Sequence, residues 1–579
     1  MSVVFLSTGP PTVPPGTLQA LAETYNILIP PRDLPSYLHL LNGLHASATL
    51  LSSFPSYTDP RLLPEPTTLP RTCTKKGGIA ETNPLNAWSH YTTISFPSPV
   101  TQTLAGKTAA VKDNVAIAGI PLTGGTFPEL LTGTSEYPIP DIDAVVVQRI
   151  LAAGAILKGS ANCEHFSMSP LSYTSATGPV HNPWVHGYTT GGSSSGCGAV
   201  VGASQVRAWR ARHKLSPLSD EVLGEGVDMA IGGDQGGSIR IPAAYAGVYG
   251  LKPTHGLVPY TGILGLVPMI DHAGPMTMSL EDNMVLLGVL AGWDGIDPRS
   301  TPETPLRGNV VNYKRMVEKW IEEKKQIREW TAKNAGKGLR VGVIKESLEV
   351  LGLTKEVKRV FGEAVEQFKA VGADVQEISI PMHTLGPSIW TLATRPFIPT
   401  HGLQNRASPL LHYPMPEVTP PPLDQKTFDA LNKHNPAVAN MYLNAAFLEQ
   451  RDDANRLLAK SMTHIQQLRD AYDVVLRDFD VLLTPVNPRV GSKHPTYDMT
   501  AGEKMDPAIG APLNTCAFNV TGHPGLSMPA GWGRLPDGAG RLPVGMQLVA
   551  KRFDEQSIYK AATAWEVGGL GLDRWNGQP

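Results

Sequence analysis

Three short stretches of this sequence combine residue types that could carry out acyl transfer: AVKDNV at 110–115, GGSSSG at 191–196 and GGDQGGSIRIPA at 232–243. In the third, a strand-like run, VDMAI, passes through GGDQGGS into SIRIPAAYAG, a short helix. Ser238 is thereby expected at a tight turn that opens on a helix N-terminus. The backbone N–H groups of Gln235, Gly236, Gly237 and Ser238 can converge beside its hydroxyl, and the glycines let the chain approach a substrate closely. Such an oxyanion hole is worth about 3–4 kcal/mol per donor to an acyl-transfer transition state. A serine hydroxyl also needs a base, and nothing here resembles the GxSxG elbow with its later Asp and His. Lys112, at the end of an apolar strand, can serve instead. Its pKa must fall from about 10.4 to roughly 7–8, which burial and hydrogen bonding to hydroxyls can achieve.

Each stretch alone also has a plainer reading. A strand-end Lys is ordinarily a solvated charge, and GGSSSG in isolation is a flexible linker or turn. A phosphate loop requires GxxxxGK[ST], whereas AGKT at 105–108 has Thr101 where the first Gly belongs. Cys73, Cys163, Cys197 and Cys516 show no CxxC or Cys/His spacing, so neither a zinc site nor a disulfide framework is expected. The formal charge of -2, without a sustained Lys/Arg run, gives no electrostatic basis for binding nucleic acid or an anionic membrane, and a small neutral substrate fits better. The start, MSVVFLSTGPPTVPPG, has neither a signal h-region nor a basic n-region, and no later run reaches the roughly 18–20 apolar residues of a spanning helix. A cytoplasmic protein is the expectation.

These stretches must be positioned by a larger scaffold, and the 41% hydrophobic content of the 579 residues supplies apolar material for one. Residues 1–95 mix short helical patterns with Pro-rich breaks and read as an N-terminal helical arm packed on a larger body. From about 105, Val/Ile/Ala runs alternate with helices: KTAAVKDN as a strand, DAVVVQRILAAGA as a helix capped by Asp143, and AILKGSAN as a strand. After 338, GLRVGVIKE, KEVKRVFGEAVEQFKAVG and ADVQEISIP repeat strand, helix, strand. A long helical stretch from 438 to 479 is followed by the strands VLLTP at 481–485 and PVGMQLVA at 543–550. An α/β sheet drawing strands from most of the chain follows.

Taken together and in order, the three stretches resemble the amidase signature family. The resemblance extends over residues 80–570 through NCEHFSMS at 162–169, HNPWVHGY at 181–188, KPTHGLVPYTG at 252–262, DHAGP at 271–275 and PVGMQLV at 543–549. NPLNAW at 83–88 and GWDGIDPRS at 292–300 look most like the bacterial nitrile-pathway amidases; the A-type component of the tRNA-dependent amidotransferases is a weaker match. The resemblance implies a large mixed, twisted β-sheet covered by helices on both faces, with residues 96–579 as the catalytic domain. It implies a Ser-cisSer-Lys triad of Lys112 as base, Ser193 as relay and Ser238 as nucleophile, an acyl-enzyme, and no metal or organic cofactor. Ser194 and Asp234 would support the loops, Arg240 would make a buried ion pair, and Phe166 and Met168 lie on the family's pocket-lining loop. A small carboxamide is the implied substrate. The alternatives are hydrolysis of carbamates, esters or anilides, and a role as the A-type component of an amidotransferase that needs a protein partner. Helical arms in this family leave a homodimer open.

One feature departs from the family. Ser193 and Ser238 lie 45 positions apart, more than is usual there, and the excess falls on SQVRAWRARHKLSPLSDEVLG at 204–224. An exposed loop inserted between a helix and the VDMAI strand is expected, with a retained-intron translation as the other reading; removing a loop of this kind should leave a folded enzyme.

Overall fold

The structure, a computed structural model, describes residues 12–75, 82–406, 415–569 and 571–574; the chain start read above for a leader, 1–11, lies outside them. The chain forms two compact units, Met1–Arg61 and Leu62–Pro579. In the first, helices Pro15–Thr24 and Leu34–Ser52 are joined at the Asn42 side chain, whose Oδ1 accepts the amides of Thr12 at 2.7 Å and Val13 at 2.9 Å.

The second unit is built on one sheet, with 12 strands among the described residues. In spatial order its strands are Thr74–Lys75, Trp88–Ile94, Ile156–Ala161, Thr108–Lys112, Met229–Asp234, His272–Thr277, Tyr249–Lys252, Gly525–Arg534, Arg541–Val549, Val481–Pro485, Arg340–Ile344 and Asp374–Ile378. The sheet therefore begins before the expected boundary at 95, because Trp88–Ile94 pairs with Ile156–Ala161. It is mixed: Thr108–Lys112 runs parallel to both of its neighbours, whereas Met229–Asp234 and His272–Thr277 are antiparallel.

Side-chain alternation puts successive residues of a strand on opposite faces. Ala109, Val111, Met229 and Ile231 point into one hydrophobic cluster; Ala110, Ala161 and Ala230 point into another. Helix Ser195–Arg212 covers the second face. It approaches closely because it carries glycine where a side chain could not fit: a Cβ on Gly196 would lie 2.4 Å from the Ala87 carbonyl oxygen and the Asn162 amide nitrogen. The strand, helix, strand unit after 338 forms as read, with helix Lys355–Ala370 between the parallel strands Arg340–Ile344 and Asp374–Ile378.

Two expectations change. Asp143 does not cap the helix Val145–Ala152; its carboxylate is buried in a bidentate pair with Arg71, at 2.8 and 2.7 Å, and accepts the Ala118 amide at 2.9 Å. Nor is 204–224 simply an exposed loop. Its first half prolongs the helix Ser195–Arg212, and Trp209 is fully buried, packed edge-on to Trp184 and Trp532 and donating from Nε1 to the Leu572 carbonyl at 2.9 Å. An indole of that size removed from water holds its backbone in place. The remainder is largely exposed as far as Val222, and Leu223 is buried again. Among the described residues no helix is long and apolar enough to cross a membrane.

Candidate active site

Ile156–Ala161, Thr108–Lys112 and Met229–Asp234 are three adjacent parallel strands, so their C-terminal ends meet at one edge of the sheet. That edge is where open α/β sheets place ligands. It brings together Lys112, the segment Asn162–Met168 and the turn from Asp234 to Ser238, while the helix Ser195–Arg212 begins just after Ser193.

Lys112 is fully buried, and its Nζ donates to the Ser193 Oγ at 2.8 Å. Burial holds its pKa below the ordinary lysine value, while the more distant Cys163, Cys197, Asp234 and Glu164 oppose the shift. The charged form loses more from desolvation than those neighbours return. The Gly192–Ser193 peptide is cis. The loop it belongs to is held from both sides: the Ser193 carbonyl accepts the Glu164 amide at 3.2 Å, and the Ser194 amide donates to the Ser238 carbonyl at 3.3 Å. Ser194 donates from Oγ to the Gly233 carbonyl at 3.0 Å and accepts the Gly233 amide at 3.2 Å.

Asp234 organises the turn that carries Ser238. Its carboxylate accepts the amides of Gly237 at 2.7 Å and Ile239 at 3.1 Å, and takes Arg240 as a bidentate partner at 2.9 and 3.0 Å. Both side chains are fully buried, as expected of the ion pair. Burial alone would raise the Asp234 pKa, but the Arg240 charge and hydrogen bonds outweigh it and keep the carboxyl well below the usual carboxylate range. Gly237 has φ +139°, and a Cβ there would lie 2.4 Å from the Thr515 Oγ1, so no other residue fits without displacement.

The turn does not expose all four expected amides. That of Gly237 is committed to Asp234, because the bend that aims Ser238 outward needs its own hydrogen bond. The amides of Gln235, Gly236 and Ser238 donate to no protein acceptor among the described residues. The Ser238 hydroxyl likewise has no protein partner among them, and it lies on the wall of a cavity of about 280 Å³. Met168 lines this cavity, whereas Phe166 is buried in the adjoining core at φ 50° and does not.

Several supporting residues lie outside the three stretches that carry the chemistry. Buried Glu164 accepts the Ser195 hydroxyl at 2.7 Å on one oxygen and the Thr174 hydroxyl and amide at 2.6 and 2.7 Å on the other, fastening the Ser193 loop. Burial pushes its pKa up to about 7, against the pull of those hydrogen bonds. Trp390 donates from Nε1 to the Gln235 carbonyl at 2.9 Å, and the Thr515 hydroxyl donates to the Gly236 carbonyl at 2.5 Å. Both reach the Asp234–Ser238 turn from segments far along the chain. The stretch 390–404 supplies Trp390, Arg395 and Ile398 to the cavity wall.

The comparisons with known proteins agree on the kind of molecule. The family described as Amidase matches residues 87–208 and 222–559. The unmatched interval falls inside the extra segment between the two serines. An enantioselective amidase of Rhodococcus rhodochrous is 32% identical over 496 residues, covering 84% of this chain and 84% of its own length. The A-type component of the glutamyl-tRNA(Gln) amidotransferase of Exiguobacterium sibiricum is 30% identical over 477 residues, 81% of this chain and 86% of the relative. The peptide amidase of Stenotrophomonas maltophilia shares the fold, with a TM-score of 0.58 at 22% identity over 82% of this chain and 84% of that one.

Proposed function

The chain belongs to the amidase signature family and is a hydrolytic amidase, and from that premise we propose that it cleaves the C–N bond of small carboxamides through a Lys112, Ser193, Ser238 relay and an acyl-enzyme. Lys112, its pKa lowered by burial, acts as the base and takes the Ser193 hydroxyl proton as Ser193 takes that of Ser238. The Ser238 Oγ then attacks the amide carbonyl carbon, and the oxyanion receives hydrogen bonds from the free amides of the turn. As the C–N bond breaks, Ser193 returns a proton to the leaving nitrogen, and ammonia departs from a primary amide. Water, activated by the same relay, attacks the acyl-enzyme, releases the carboxylic acid and restores the Ser238 hydroxyl.

The observation that carries this reading is the 2.8 Å contact between the buried Lys112 Nζ and the Ser193 Oγ, one loop away from an outward-facing serine. A fully buried lysine beside two serine loops has no structural advantage over an apolar residue, whereas a base needs this burial. Similarity to the amidotransferase component supports a second reading, in which this chain works only with a protein partner. Ammonia release from benzamide and hexanamide by the purified single chain decides between them: turnover supports hydrolysis by the chain alone, and silence until a partner is added supports the second.

A further inference from the structure

The cavity that Ser238 faces is lined almost entirely by neutral residues, and its single charged lining side chain among the described residues, Arg395, is unpaired. Arg395 follows the helix Met382–Thr394 as its C-cap, and its Nε and Nη1 are buried with no hydrogen-bond partner. Among the described residues no carboxylate pairs with it, and the titratable group acting on it is the Cys516 thiol. Burial draws its pKa down only to about 10, so the guanidinium is protonated at neutral pH. Two buried guanidinium nitrogens without an acceptor carry a desolvation cost, which a protein tolerates where a ligand supplies the missing anion.

The charge is also fixed relative to the chemistry. The Arg395 Cζ lies 4.9 Å from the centroid of the Trp390 ring, and the Trp390 Nε1 is hydrogen bonded to the Gln235 carbonyl of the nucleophile turn. Trp390 also stands against the turn itself, since a Cβ on Gly236 would meet its Cζ2 at 3.1 Å. The same cavity wall that carries Arg395 and Ser238 also carries the apolar side chains of Met168, Ile241, Ile398 and Met441.

We propose that the substrate is an amide bearing a carboxylate, which Arg395 holds at one end of the cavity while an apolar spacer reaches Ser238 at the other. The proposal rests on the amidase reading for its reaction but not for its binding site. It replaces the neutral substrate that the overall charge suggested, because the net charge of a chain says nothing about one unpaired cation on a cavity wall. The carboxylate could belong to the acyl group or to the leaving amine, and matched probes separate the two.

With the full-length protein, kcat/KM is measured for adipamate against hexanamide and for hexanoylglycine against N-ethylhexanamide, in the wild type, Arg395→Met and Arg395→Lys. The wild type should prefer the charged member of at least one pair by about tenfold or more, the gain expected of charge-assisted hydrogen bonds. That ratio should fall toward one in Arg395→Met and return in part with Lys. A wild-type ratio of one or below in both pairs, or a ratio that survives in Arg395→Met, overturns the proposal. Adipate binding, followed by calorimetry, needs no turnover: it should weaken at least about tenfold in Arg395→Met, and equal binding by both proteins overturns the site whatever the kinetics. Arginine-dependent adipate binding without hydrolysis of any amide would sink the reaction assignment and leave the carboxylate site standing.

Discussion

Removing the Arg240 side chain tests how the nucleophile turn is held. In Arg240→Met the Asp234 carboxylate loses both guanidinium bonds, at 2.9 and 3.0 Å, in a place where neither partner is exposed. The Thr515 carbonyl, Gln547 Oε1 and Asn519 Oδ1 lose donors now at 2.9, 2.7 and 2.7 Å. Breaking a buried pair from one side costs about 3–5 kcal/mol, and here the remaining amides and Asn519 soften but do not remove that cost. Asp234→Asn together with Arg240→Met removes the uncompensated charge, so the double variant should be more stable than the sum of the single losses by about 2 kcal/mol. Urea unfolding followed by tryptophan fluorescence measures all three variants against the wild type. The same cycle has a pH signature. A carboxyl held below its unfolded pKa stabilises the fold above that pKa and ceases to as pH falls, so the wild type should lose stability on acidification more steeply than Arg240→Met. A loss below about 1 kcal/mol in Arg240→Met, or strict additivity in the cycle, would refute the claim that this pair fixes the turn.

Gly237→Ala, with φ +139° and Thr515 Oγ1 2.4 Å from the new Cβ, should lower kcat by about 100-fold or more while the circular dichroism spectrum is kept, because the turn must shift by the fraction of an ångström that alignment of donors depends on. Glu164 is raised from 4.5 to about 7, so the native state holds a proton that the unfolded chain has released; wild-type stability should fall as pH rises through that window, and Glu164→Gln should flatten the profile in urea titrations at several pH values. Trp209→Ala should cost about 3–5 kcal/mol in urea unfolding, and deleting 204–224 should abolish soluble expression, whereas replacing only the exposed Ser216 and Pro217 with Gly and Ser should be tolerated.

The sequence made the order of the three motifs legible because each is local: a strand ends in Lys112, a Gly-rich loop precedes a helix, and a strand turns through glycines into Ser238. Strand pairing then explains why they meet, since parallel neighbours put their C-terminal ends on one edge. The Asp234–Arg240 pair was also readable, being six positions apart across one turn. What was not readable depends on tertiary placement. Asp143 looks like a helix cap until Arg71, 72 positions earlier, takes its carboxylate. The 204–224 segment reads as polar and basic, and only Trp209 meeting Trp184 and Trp532 shows that half of it belongs to the core. Phe166 and Met168 have the same sequence appearance, yet backbone geometry sends one to the core and the other to the cavity. Arg395 and Thr515 lie in no motif, because their contribution comes from where distant segments end. Gly237 belongs to the motif, but its amide is spent on the turn itself.

The proposed roles of Ser238 as the residue acylated and of Lys112 as the group that activates it through Ser193 are open to direct chemical test. Treatment with a serine-directed fluorophosphonate, followed by peptide mass spectrometry, should find the adduct on Ser238 alone, at a rate that falls at least about 100-fold in Lys112→Ala and Ser193→Ala. Labelling of another serine, or an undiminished rate in Lys112→Ala, would contradict them.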